Sequence, residues 1–264
     1  MIKNEKLTPK TFMKRISKKK SDENKIFSDE NYLKYLSIEK LYDKKKDSEY
    51  YYNLKHLINS TSSSEISDAL FSLTNNNGVL EGLKSISGLK AYGRVVTSET
   101  SADDWGTSTL AIDEAEEGEV IFIKTQPVNY SEDSNFKKMK GAAVWGELTS
   151  LAAKSKKIAG TFVWGYVRDI DNLTGLNYPV FALDTCPNAG VALGQGTINK
   201  SIHLANHSIN QGDFIFGDKS GVVLVPNALF GSVMKKVIDI KRNEKNIRED
   251  IRKGRSLSEI TELK

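Results

Sequence analysis

The chain has 264 residues, 39% hydrophobic and 27% charged, which suits one large globular domain or a medium domain with an extension. It contains no apolar run of about 18 residues or more, and its start, MIKNEKLTPKTFMKRISKKK, has charge without an apolar core; neither a membrane span nor a secretory signal is expected, and the cytoplasm is the expected compartment. One cysteine, Cys186, excludes an internal disulfide, and with three scattered histidines it argues against a Cys/His zinc site. The net charge of +4 is unevenly placed: residues 1–56 hold 15 Lys/Arg against 9 Asp/Glu, and the remainder holds 23 against 25.

Residues 1–56 are rich in Lys, Asp, Glu, Asn and Tyr, and Leu33, Tyr35, Leu36, Ile38, Leu41 and Tyr42 recur at helical spacings. A basic arm for nucleic acid or an acidic partner is one reading; a solvated helical extension packed on a neighbouring subunit is the other. Lys runs without interleaved Arg and Gly favour the second, with nucleic-acid binding at most weak and salt-dependent. Ser60–Ser64 reads as a hinge, and Ser64 with Ser67 or Asp68 as the cap of a helix carrying Ile66, Ala69, Leu70 and Leu73, broken by Asn75-Asn76-Asn77-Gly78. Strands are expected at 91–97, 120–124, 160–164, 180–183 and 191–193, and helices at 109–116 and 145–156. Phe214–Phe216 and Val222–Val225 flank the turn-like Gly217–Gly221, and residues 227–253 read as a long amphipathic helix. Strands alternate with helices and then cluster, which predicts a mixed sheet with helices packed outside.

The chemistry concentrates in Gly146-Glu147-Leu148-Thr149 and Val167-Arg168-Asp169. A carboxylate opens a helix; twenty residues later Arg-Asp follows an apolar strand. Helix, turn and strand return the chain to one end of the sheet, so the two motifs can meet. A helix start offers free N–H groups and a positive dipole end. Arg168 offers a planar fork for a carboxylate. Asp169 offers a hard oxygen for Mg²⁺ or Mn²⁺. Together these parts suit a 2-oxo acid. On spacing alone, a surface ion pair and a dipole-favoured cap residue account for the same residues.

Several stretches resemble, in order, the RraA-like family: SEISDAL, DDWGTSTLAIDEAEEGEV, AAVWGELTSLAAKSKKIAGTFVWGYVRD, YPVFALDTCPNAG, QGDFIFGDKSGVVLVP and the closing EKNIREDIRKGRSL. The resemblance covers most of residues 57–264. It implies an α/β fold of three-layer β/β/α swivelling type, here behind a helical, basic N-terminal extension at 1–56. It implies trimers or hexamers with sites between subunits. Its members include 4-hydroxy-4-methyl-2-oxoglutarate and 4-carboxy-4-hydroxy-2-oxoadipate aldolases, and a regulator of ribonuclease E; many carry an old label of demethylmenaquinone methyltransferase. Gly194-Gln195-Gly196 is too short and misplaced to support that last activity. By the resemblance, Asp169 binds Mg²⁺ or Mn²⁺, Arg168 holds the carboxylate and carbonyl region of a 2-oxo acid, and Glu147, where many aldolases have Asp, positions a water for proton transfer. The N–H groups of Leu148 and Thr149 meet the pyruvyl carboxylate. The implied functions are a metal-dependent class II pyruvate aldolase or related decarboxylase and, alternatively, a non-catalytic regulator of a ribonuclease or helicase.

The chain departs from the family at Trp164-Gly165, where Asp-Gly is common, and at His203-Leu204-Ala205-Asn206-His207, where a Gly-rich strand is common. His203 and His207, at i and i+4 on an expected strand, read as surface or packing residues, and Cys186 as a small packing residue. The composition shift near residue 57 implies that the preceding segment is dispensable for folding. A chain beginning near Asn59 is expected to stay soluble with a cooperative melt, and aggregation or loss of that melt would show that residues 1–58 belong to the core.

Overall fold

The computed structural model describes residues 56–127, 141–204 and 206–263. The extension and its expected helix around Leu33–Tyr42 lie outside them. Two compact units are formed: Val79–Asn227, and the described parts of Met1–Gly78 with Ala228–Lys264.

In the second of these units, α1 (Ser63–Thr74) packs on the longer of the two C-terminal helices. The cap of α1 is Ser62 rather than Ser64: its hydroxyl accepts from Glu65 N–H, and Glu65 returns a bond to Ser62 N–H at 2.8 Å. The same carboxylate takes Lys241 at 2.9 Å, and the lysine also donates to Ser60 C=O. Asn75, in the left-handed region at φ 62°, ends the helix.

The unit Val79–Asn227 is a sheet with helices on one face and strands on the other. Its strands are β1 (Lys84–Ser85), β2 (Ala91–Ser101), β3 (Val120–Gln126), β4 (Ala143–Trp145), β5 (Gly160–Val167), β6 (Val180–Thr185), β7 (Thr197–Ile198), β8 (Ile202–Leu204), β9 (His207–Ile209), β10 (Phe214–Asp218) and β11 (Gly221–Val225). The main order is β1-β6-β5-β3-β2-β10-β11; β2, β3, β5 and β6 run parallel, and β8-β9 is a separate hairpin. Between the strands lie α2 (Gly106–Glu114), α3 (Glu147–Ser155) and α4 (Ile170–Gly175). After β11 the chain enters α5 (Phe230–Arg252) and α6 (Leu257–Ile260).

Val120–Ile123 of β3 and Val180–Ala182 of β6 are apolar without interruption because both faces of the sheet are covered there. On the helical side, Val96, Ile121, Ile123, Val163 and Ala182 pack with Ala111, Ile112, Ala153 and Leu173. On the other side, Val95, Phe122, Phe162 and Phe181 pack with Ile202, Ile209, Ile215 and Leu224. Alternate residues of one strand thus serve two cores, which is the expected β/β/α layering.

Four further local expectations need correction. Trp145 closes a short strand instead of opening a helix: it pairs with β5, and its buried indole donates to Ser150 Oγ at 2.7 Å. Val191–Leu193 is no strand. Val191 makes a single bridge to Asp104, and the amides of Leu193, Gly194 and Gln195 turn inward to the Asp104 carboxylate at 2.9, 3.0 and 3.1 Å. Helix α2 starts at Gly106, three residues early, because that same carboxylate accepts Gly106 N–H at 2.8 Å. His203 and His207 fall on the two strands of a hairpin rather than on one strand.

Asp104 is 1% exposed and also accepts the hydroxyls of Thr107 and Thr100. Burial opposes its ionisation, but the bonds from Gly194 N–H, Thr107, Gln195 N–H and Thr100 outweigh it and hold the carboxyl well below the usual carboxylate range. The segment after β6 is therefore laced to the start of α2 by one charge.

Two outcomes follow. A Cβ on Gly217 would sit 2.7 Å from both Phe162 and Phe181, whose rings stack at 4.6 Å. Gly217→Ala should cost about 2 kcal/mol by overpacking, and an unchanged melt would show that this core yields. Asp104→Asn replaces an acceptor by a donor facing buried N–H groups and should cost about 3 kcal/mol at neutral pH. The folded carboxyl lies below its unfolded value, so its stabilisation is complete above the unfolded pKa of about 3.9 and is lost as pH falls toward the folded value. The gap between the two proteins in chemical denaturation should therefore shrink below about pH 4; a gap that is constant from pH 7 to pH 3 would remove the charge from the explanation.

Candidate active site

The site is made where β5 changes neighbours. Along Gly160–Trp164, one edge of β5 pairs with β3; from Tyr166 to Val167, it pairs with β4. Gly165 stands at the hand-over, where a Cβ would lie 2.6 Å from Thr125 Oγ1, so only glycine lets β3 approach so closely there. Parallel β4 and β5 then end side by side. Arg168 N–H donates to Trp145 C=O at 3.0 Å, which sets Gly146-Glu147 against Arg168-Asp169. The expected meeting of the two motifs is thus observed.

Gly146 is buried, and a side chain there would meet Asp169 Oδ2 at 2.7 Å and Arg168 Cγ at 3.1 Å. Glu147 begins α3, and its N–H reaches Asp169 Oδ2 at 3.3 Å. The N–H groups of Leu148 and Thr149 have no acceptor among the described residues, as befits a first helical turn. Leu148 is 75% exposed; Thr149 is buried, its hydroxyl bonding Gly146 N–H and C=O.

Asp169 adopts φ 59°, ψ 42°, the left-handed region, and caps α4. Such a conformation costs on the order of 1 kcal/mol. It is held by Leu173 N–H on Asp169 C=O and by the contacts of Oδ2 with Glu147 N–H and Arg168 Nε, the last at 3.3 Å. Nothing among the described residues bonds Oδ1, and the two terminal nitrogens of Arg168 have no protein partner among them. Both side chains are more than a third exposed.

Asn172, on the next turn, was not singled out in the sequence; its amide donates to Glu147 Oε2 at 2.6 Å. Cys186 follows β6, its N–H on Val167 C=O, and burial pushes its thiol above the ordinary range, as suits a packing residue. Trp164 packs on the strand-side core, and Gly194-Gln195-Gly196 wraps Asp104 and Thr107, which accounts for those glycines structurally.

The donor set can be tested against the metals expected. Among the described residues, no three His, Cys, Asp or Glu side chains gather into a metal site. Mg²⁺ and Mn²⁺ use one or two protein carboxylates and keep several waters. The uncommitted Oδ1 of Asp169, with Glu147 beside it, meets that requirement.

Compared with known proteins, the chain matches the RraA-like family (Aldolase/RraA) over residues 63–224. It is 33% identical over 190 residues to an uncharacterized protein of Methanocaldococcus jannaschii, covering 69% of this chain and 86% of that one. It is 31% identical over 193 residues to a protein of Halalkalibacterium halodurans provisionally named 4-hydroxy-4-methyl-2-oxoglutarate aldolase, covering 70% of this chain and 84% of that one. The crystal structure of an uncharacterized Pseudomonas syringae protein matches with a TM-score of 0.66 at 25% identity, over 80% of this chain and 94% of that one. The match includes every residue of the site, and the chain belongs to the RraA-like family.

Proposed function

We propose that the protein is a divalent-metal-dependent lyase of pyruvate aldolase type, cleaving a 4-hydroxy-2-oxo acid to pyruvate and a second carbonyl compound, or a related 2-oxo acid decarboxylase. The observation that carries this reading is the convergence, on one strand end, of a free helix start, an arginine with both terminal nitrogens uncommitted and an aspartate with one uncommitted oxygen. The provisional name of the Halalkalibacterium relative supports it.

The substrate carboxylate would take the N–H groups of Leu148 and Thr149, with Arg168 spanning carboxylate and carbonyl oxygen. In the reaction a proton leaves the 4-hydroxyl, the C3–C4 bond breaks, and its electron pair becomes an enolate delocalised onto the C2 oxygen. A proton returned to C3 completes pyruvate. Asp169 would hold Mg²⁺ or Mn²⁺, which when bound supplies positive charge to the enolate oxygen. Arg168 adds a second, fixed positive charge there. Glu147, held at the rim through its N–H on Asp169, would accept the departing proton through a water and give it back.

A second reading is a non-catalytic regulator of RNA processing; the basic excess of residues 1–56 favours it. Pyruvate release with Mg²⁺ or Mn²⁺ across a panel of 4-hydroxy-2-oxo acids separates the two. Asp169→Asn should lower metal affinity and cut turnover on the order of 100-fold, because an amide is a poorer ligand for a hard cation. Arg168→Lys should lose about as much, since an ammonium cannot replace the fork. Glu147→Gln should also lose about 100-fold while sparing metal affinity. An exposed ion pair is worth about 1 kcal/mol or less, so all three melts should stay near wild type. Wild-type turnover and metal affinity in Asp169→Asn would refute the site.

A further inference from the structure

We infer that Asn172 is the positioning residue for Glu147: its side-chain amide fixes the Glu147 carboxylate over the site and leaves one carboxylate oxygen for proton transfer. The inference rests on the lyase reading above and adds to it a residue in the turn after β5.

Glu147 is the first residue of α3, where a long side chain without a partner would sample solvent. Two groups of one turn hold it. Asp169 Oδ2 takes its N–H at 3.3 Å, and Asn172 Nδ2 donates to its Oε2 at 2.6 Å, across 25 residues of sequence. Only Oε1 then lacks a hydrogen bond among the described residues. A carboxylate held at one oxygen and open at the other presents a defined lone pair to a water, and losing this arrangement is the kind of small misplacement that slows a proton transfer.

Asn172 is itself well anchored. Its neighbour Leu173 is fully buried in the helical-side core. The far end of α4 is tied to α3 by Lys154 Nζ on Leu176 C=O at 2.6 Å. The two helices are thus cross-linked at both ends, with the Asn172–Glu147 bond at the end facing the site. Asn172 is exposed, so its bond contributes little to folding; a role in orientation can then be measured apart from stability.

The test uses the full chain as wild type, Asn172→Ala, Asn172→Asp, Glu147→Gln and the double variant Glu147→Gln/Asn172→Ala. The readouts are pyruvate release from 4-hydroxy-4-methyl-2-oxoglutarate with Mg²⁺ and the spectrum of ¹⁵N-Asn-labelled protein. Asn172→Ala should lower kcat about tenfold with KM changed less than about twofold. In the Glu147→Gln background the same change should have no further effect on kcat, because Asn172 acts through Glu147. Asn172→Asp keeps shape and suits an early helical turn, but it cannot donate to a carboxylate and should lose as much as alanine. Equal losses in both backgrounds, or a wild-type kcat in Asn172→Asp, would overturn the inference. The spectrum decides independently of turnover. If the wild type releases no pyruvate from this or any other 4-hydroxy-2-oxo acid of the panel, the aldolase reading fails, while the Asn172 side-chain amide resonances should still move on Glu147→Gln. Resonances that stay in place would show that the two side chains do not meet, and the positioning role would fall with them.

Discussion

The site depends on one backbone constraint: the parallel endings of β4 and β5, fixed by Arg168 N–H on Trp145 C=O. Everything with chemical potential lies within four residues of that bond. On one side it is followed by Gly146 and the start of α3, on the other by Asp169 and the start of α4. Because β4 and β5 point the same way, both following helices present their first turns to the same place, and the Glu147 N–H at the start of α3 reaches Asp169. The glycines at 146 and 165 are what permit the approach: the first lets Asp169 and Arg168 close over the helix start, the second lets Thr125 of β3 come close just before β4 takes over that edge of β5. The left-handed backbone of Asp169 is the local cost of turning the chain there, and three contacts from separate groups hold it.

How much of this could be read in advance follows from the range of each signal. The central strands were legible because strands covered on both faces are apolar throughout, as in Val120–Ile123 and Val180–Ala182. Their ends were read short because Thr100 and Ser101 look like loop residues, although Thr100 is buried against Asp104. The three residues of β4 carry no strand signature of their own; they become a strand by pairing with β5, and Trp145 directly before a helical run resembles part of that run. Glu147, Arg168 and Asp169 were legible as a spaced pattern, and the family resemblance assigned them roles. Asn172 and Asp104 were not. Asn172 matters through a partner 25 residues away, and Asp104 through partners 89 to 91 residues away. Nothing local distinguishes either from an ordinary polar residue at a helix start.

Asp104 and Asp169 show how differently one fold uses the same side chain. Asp104 is saturated: backbone amides and hydroxyls satisfy both oxygens, burial excludes water, and the charge serves to close the segment after β6 onto α2. Asp169 is half open, with one oxygen engaged and the other uncommitted. A saturated carboxylate has no lone pair to offer a ligand, whereas a half-satisfied one at a strand end does. The contrast separates a structural anchor from a candidate ligand without reference to any relative.

Charge then constrains what can occupy the site. Among the described residues, Arg168 shares its Nε with Asp169, and Glu147 begins the helix whose first N–H meets the same Asp169 oxygen. Asp184, opposite Tyr166 on β6, adds another negative charge at the same end of the sheet. Among these described groups negative charge prevails, which opposes the binding of an anion such as a 2-oxo acid. The positive end of α3, equivalent to about half a charge, is too small to reverse that sign. A divalent cation at Asp169 would offset it, and the terminal nitrogens of Arg168, uncommitted among the described residues, would then meet a carboxylate in a field that no longer repels it. Metal and substrate binding in the proposed lyase would then be coupled: the carboxylates that favour the cation would oppose the acid until the cation is present.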